Sequence, residues 1–103
     1  MINPEDTKLV TLAQSTLKRS GARQAAALRD TTGRTYIAIN VVSPELNLDA
    51  FEAVLTVALA SGISGIESVV AAGEQPSNIA AIKAFAPNAT LFFVTSEGAE
   101  LSL

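Results

Sequence analysis

A chain of 103 residues in which 49% are hydrophobic but only five, four Phe and one Tyr, are aromatic is sized for one domain spanning 1–103, with a core of Ala, Val, Ile and Leu and no platform of aromatic rings for stacking bases. Seven basic against ten acidic side chains give a net charge of −3, and the only basic clusters, Lys18-Arg19 with the spaced Arg23, Arg29 and Arg34, form no footprint for nucleic acid or an anionic membrane. The chain contains neither cysteine nor histidine, which excludes disulfides, thiol nucleophiles, thiolate ligands and imidazole as ligand or general base.

The opening Met1-Ile2-Asn3-Pro4-Glu5-Asp6 lacks the basic start and apolar centre of a secretory signal. No apolar run approaches the ~20 residues of a membrane helix, so a cytoplasmic location is the expectation. Asn3 as cap, Pro4 at the first helical position, acidic Glu5 and Asp6 at the start, Lys18 and Arg19 at the end, and Gly21 as stop together predict a helix. Leu9, Leu12, Ala13, Thr16 and Leu17 form its buried stripe. Residues 24–30 and 34–42 read as two strands of a hairpin around Asp30-Thr31-Thr32-Gly33. Alternation places Tyr36, Ala38 and Asn40 on one face and Ile37, Ile39 and Val41 on the other.

Asn47 is the predicted cap of a second helix running to about Ser61 and stopped by Gly62. Phe51, Val54, Leu55, Ala58 and Leu59 make one apolar face, and Ala50, Ala53, Val57 and Ala60 make a second. A helix apolar on most of its circumference is covered on most of it, by a second subunit or by another helix of the same chain. Residues 66–72 and 90–95 read as parallel strands covered on both faces. Between them residues 76–86 carry Ile79, Ile82 and Phe85 at helical spacing and stop before Pro87. Residues 99–103 form a last extended piece. The fold class is therefore α/β.

This order of elements, with Arg29-Asp30, Gly33-Arg34-Thr35-Tyr36, Asn40, Ala58-Leu59-Ala60-Ser61-Gly62, Gly65 to Gly73 and Pro76, resembles the cytidine deaminase family almost end to end. The resemblance implies a three-layer α/β/α domain with a five-stranded mixed sheet and an oligomer, a dimer or a tetramer. In that family a Cys or His, followed two residues later by Glu, opens the second helix, and Pro-Cys-x-x-Cys opens the third. Three ligands hold Zn²⁺ and leave a place for water, while the Glu moves protons.

The approach to the second motif corresponds to Gly73 through Pro76. Counting back from Gly62 places Asp49 at the ligand position and Phe51 at the Glu; counting forward from Asn40 places Phe51 and Ala53 there. Pro76-Ser77-Asn78-Ile79-Ala80 shows Ser77 and Ala80 in place of the two thiolates. The family's ribose-binding Asn-x-Glu corresponds to Asn40-Val41-Val42, which keeps only the Asn. The resemblance thus implies no cofactor, no metal and no catalytic residue for deamination.

Six residues remain as a possible ligand pocket: Asn40, Asp49, Phe51, Glu74, Ser77 and Asn78. Each also has a plainer role. Asn40 can satisfy the backbone of its own loop, Asp49 and Glu52 can complement a helix start, Phe51 can fill the core, and Glu74 to Asn78 can be an ordinary polar turn in which Ser77 caps the third helix. The first expectation is an inert deaminase-like protein acting as an oligomeric scaffold or binding a protein partner. The second is a module that holds a nucleoside or an anion without chemistry, through Asn40 and the turn from Glu74 to Asn78. A hydrolase is a third, and needs Asp49, Glu52 or Glu74 to converge.

Overall fold

The computed structural model describes residues 3–103; Met1 and Ile2, part of the N-terminal segment read above for a targeting signal, lie outside them. Helix α1 spans Pro4–Ser20. Asn3 caps it by accepting from the Asp6 N–H at 2.8 Å. Gly21, with φ 69°, closes it in the left-handed conformation that its missing Cβ permits, and its N–H donates to the Leu17 carbonyl. Leu9, Ala13 and Thr16 are buried and Leu12 and Leu17 half-buried, as their spacing predicts.

Strand β1 (Gln24–Asp30) pairs antiparallel with β2 (Thr35–Ile39). In the turn between them the Asp30 Oδ1 accepts from Thr32 N–H, Thr32 Oγ1 and Arg34 N–H. Burial opposes the charged form of Asp30, but these donors and the nearby Arg34 charge outweigh it and hold the carboxyl below its ordinary pKa. The second strand of the hairpin is shorter than the sequence pattern suggests. It ends at Ile39, and residues 41–42 become β3 (Val41–Val42), which pairs with β4 (Asn47–Leu48) in a separate two-stranded ribbon.

Helix α2 covers Ala50–Ala60, β5 covers Ile66–Gly73, α3 covers Ala80–Phe85, β6 covers Thr90–Val94 and β7 covers Glu100–Ser102. The five-stranded sheet has the order β2-β1-β5-β6-β7. Only β5 and β6 run parallel. The central position of β1 explains its residues: Ala25 through Leu28 are all buried, because helices cover both faces.

The two faces carry separate cores. On one, Leu9 and Ala13 of α1 pack with Ala27, Val70, Ala72 and Val94. On the other, Phe51, Val54, Leu55 and Ala58 of α2 and Ile82 of α3 pack with Ala26, Leu28, Val69, Leu91 and Phe93. The architecture is three-layer α/β/α with a five-stranded mixed sheet, as the sequence implied. The edge strand β2 shows the predicted alternation: Tyr36 and Ala38 turn toward the α2 side while Ile37 and Ile39 stay exposed.

Two expectations about helix starts need correction, and the open alternative over the second face of α2 is resolved for part of it. The cap of α2 is Asp49, not Asn47, because Asn47 is drawn into β4 by pairing with Val42. Ala50 and Ala53 are covered within the chain, and the apolar residues of α2 left in the open are Val57, Leu59 and Ala60 near its end. Helix α3 begins at Ala80, not near Pro76, and Ser77 does not cap it: Ile79 precedes it with no side-chain hydrogen bond.

Near the start of α1, Arg29 reaches from β1 to two carboxylates. Its Nη2 donates to Asp6 Oδ1 at 2.9 Å and its Nε to Glu67 Oε1 at 2.7 Å. The Arg29 and Asp6 side chains are 13% and 5% exposed. Burial alone lowers the pKa of a guanidinium; the bonds to Glu67 and Asp6 outweigh it and raise that of Arg29 above its ordinary value.

Candidate functional site

One end of the sheet gathers the start of β1, the end of β2, the start of α2 and the turn after β5. A cleft of about 390 Å³ opens there, lined by Arg23, Gln24, Asn40, Val42, Asn47, Leu48, Asp49, Glu74 and Asn78. It lies beyond the carboxyl end of the parallel strand β5, the side on which open α/β sheets receive ligands. Gly73 makes the close approach possible. Its φ of 96° is positive, and a Cβ there would collide with the Arg23 carbonyl oxygen.

The floor of the cleft is a relay of amides. Gln24 N–H donates to Asn40 Oδ1 at 3.0 Å, and Ala50 N–H, the first of α2, donates to Gln24 Oε1 at 3.0 Å. Asn40 thus holds β1 and β2 together at their end while Gln24 satisfies a free donor of the helix start. On the rim, Arg23 Nε donates to Glu74 Oε2 at 3.0 Å, an exposed pair joining the start of β1 to the end of β5.

The start of α2 is a capping box. Asp49 Oδ1 accepts from Glu52 N–H at 2.9 Å and Glu52 Oε1 accepts from Asp49 N–H at 3.0 Å. The same two side chains hold the turn before α3. Asp49 Oδ2 accepts from Asn78 N–H at 2.8 Å, and Asn78 Nδ2 donates to Glu52 Oε1 at 3.1 Å.

Of the six residues proposed from sequence, Asn40, Asp49, Glu74 and Asn78 line the cleft. Phe51 does not. It is fully buried in the core between α2 and the sheet, where two positions past the cap a side chain points inward. Ser77 does not either; it stands exposed on the turn, with its carbonyl accepting from Ile79 N–H. Sequence reasoning did not place Arg23, Gln24, Val42, Asn47 or Leu48 in the pocket. The first two sit at the start of a strand, where nothing in the local pattern marks a side chain as site-forming. Asp49 and Glu52 do converge, on Asn78, whereas Glu74 is held apart by Arg23.

The donor set does not fit a zinc ion. Among the described residues no three His, Cys, Asp or Glu side chains converge on a point. Both oxygens of Asp49 already face N–H donors, and Ser77 and Ala80 supply no anionic ligand. Among the described residues no helix is long and apolar enough to cross a membrane.

The crystal structure of cytidine deaminase from Mycobacterium leprae matches this chain with a TM-score of 0.72 at 17% identity, over 98% of this chain and 94% of that one. No curated protein matches. The model of the family described as cytidine deaminase-like matches residues 2–98, nearly the whole length, and the chain belongs to the cytidine deaminase-like family.

Proposed function

We propose that this protein is an inactive member of its family, without zinc, serving as a self-associating scaffold or a partner-binding protein. The observation that supports this is the state of the start of α2. The two carboxylates there, Asp49 and Glu52, are committed to backbone and amide donors, and Phe51, at the position implied for the proton-shuttling Glu when counted from Gly62, is sealed in the core. A general base needs an accessible acceptor within hydrogen-bond reach of its substrate, and Phe51 offers none. Apolar surface left for a partner includes Val57 and Leu59, which are 42% and 45% exposed on opposite flanks of the last turns of α2.

Purified protein incubated with cytidine and zinc will show no release of ammonia above the uncatalysed rate. Light scattering on the same preparation will show a dimer or a tetramer, and elemental analysis no stoichiometric metal. Turnover of cytidine sinks the inactive reading; a monomer at micromolar concentration sinks the scaffold reading while leaving inactivity untouched.

A second reading rests on the cleft. Gln24 Nε2, Asn40 Nδ2 and the Asn47 amide are without hydrogen-bond partners among the described residues, and the rim charges Arg23 and Glu74 neutralise one another. Such a surface suits a neutral hydrogen-bonding solute such as a nucleoside better than an anion. A saturable rise in melting temperature with cytidine or uridine supports this reading, and none at millimolar ligand ends it.

A further inference from the structure

In the zinc-dependent architecture that this fold resembles, the metal joins the start of the second helix to the start of the third. Here the residues do not fit that ion, yet the same two segments are joined. The turn from Glu74 to Ile79 is seated by Pro76, whose side chain is fully buried, and by Ile79, which packs against the core, but its polar anchors are few. Glu74 N–H donates to the Arg23 carbonyl and Ile79 N–H to the Ser77 carbonyl, α3 is a helix of six residues without a side-chain cap, and Asn78 is exposed. Its hydrogen bonds to α2 are the two from Asn78 to Asp49 and Glu52.

We propose that the Asp49 carboxylate is the tie that stands in for a metal: one oxygen caps α2 through Glu52 N–H, and the other grips the turn before α3 through Asn78 N–H. A carboxylate suits the task because it is acceptor-only and has two oxygens facing different directions. Its negative charge also favours the N-terminal end of α2. Glu52 closes the circuit from the other side by accepting from both Asp49 N–H and Asn78 Nδ2. Asp49 is thus a positioning residue. It fixes the wall of the cleft formed by Asn78, and it does so with the chain alone.

Two substitutions separate the capping role from the bridging role. Asp49→Ser keeps an oxygen that caps a helix about as well as Asp but has no second acceptor for Asn78. Asp49→Asn keeps the shape and the cap but turns an amide donor toward the Asn78 N–H. Amide hydrogen exchange followed by NMR on the full chain reads both. The residue 78 amide will exchange about tenfold faster in each variant, the loss expected for a hydrogen bond to a charged acceptor, while the Glu52 amide keeps its protection. Neither a chelator nor added zinc will shift the wild-type melting temperature by more than about 1 °C, since a bound ion would stabilise the folded state by mass action. Unchanged exchange at residue 78 in both variants overturns the proposal, as does stabilisation of the wild type by zinc or its destabilisation by the chelator. The inactive reading depends on cytidine turnover instead, so the two can fail separately.

Discussion

Helices α1 and α2 both begin with a carboxylate on their third residue, Asp6 in one and Glu52 in the other, but they use it differently. Asp6 is buried against a cation, Arg29, which Glu67 also grips. Glu52 and its neighbour Asp49 meet no cation among the described residues. Their partners are N–H groups of the backbone and of Asn78, in a place open to water. The contrast teaches that charge at a helix start is stabilised by whatever donors the surrounding layers offer, and that the cost of losing it follows burial more than charge. Under α1, removing one partner strands a buried ion. At α2, water can replace much of what is lost.

The largest expected effect tests the buried side. Asp6→Ala should lower unfolding stability by about 3 kcal/mol, the lower end of what breaking a buried pair costs, because the exposed Glu67 compensates Arg29 only in part; urea denaturation measures it. Asp49→Ala should cost about 1 to 1.5 kcal/mol, the value of a helix cap and a hydrogen bond. An equal loss at the two positions would break the comparison.

The Asp30 carboxylate sharpens it, being held like Asp49 by N–H donors and in addition by the Thr32 hydroxyl. Since its folded pKa lies below its ordinary 3.8, its stabilising effect is full above that value and fades as pH falls through the folded pKa. The wild-type advantage over Asp30→Asn in urea midpoint should therefore hold near neutral pH and vanish in strong acid. The smallest effect belongs to the exposed Arg23 and Glu74 pair. Arg23→Ala should change stability by about 0.5 kcal/mol or less, diminishing further with salt.

Much of the fold was legible where the signals are local. The capping Asn3, Pro4 and the stop at Gly21 lie within the helix they bound, so both ends of α1 follow from neighbours in sequence. The start of α2 was not legible in the same way. Asn47 and Asp49 are both good caps, and the choice is made by Val42, which pairs with Asn47 across the β3–β4 ribbon. The start of α3 was displaced as well: the Ile79 N–H, which a helix beginning at Pro76 would direct to the Gln75 carbonyl, donates to the Ser77 carbonyl instead. In the candidate site, Asn40, Asp49, Glu74 and Asn78 could be named because the resembling family directs attention to those stretches. Arg23 and Gln24 could not, since their roles exist only once β1 lies between β2 and β5.

That central place of β1 also sets an order of events during synthesis. Residues 24–30 pair on one side with residues 35–39, soon available, but on the other with residues 66–73. A nascent chain that has emerged only through α2 has an open strand edge along a segment whose centre, Ala25 to Leu28, is apolar, and local helix formation cannot cover it. Long-range pairing of this kind is slow because the intervening loop must close first. A fragment ending before Ile66 should be aggregation-prone, and the full chain should begin to resist proteolysis only when β5 has joined the sheet.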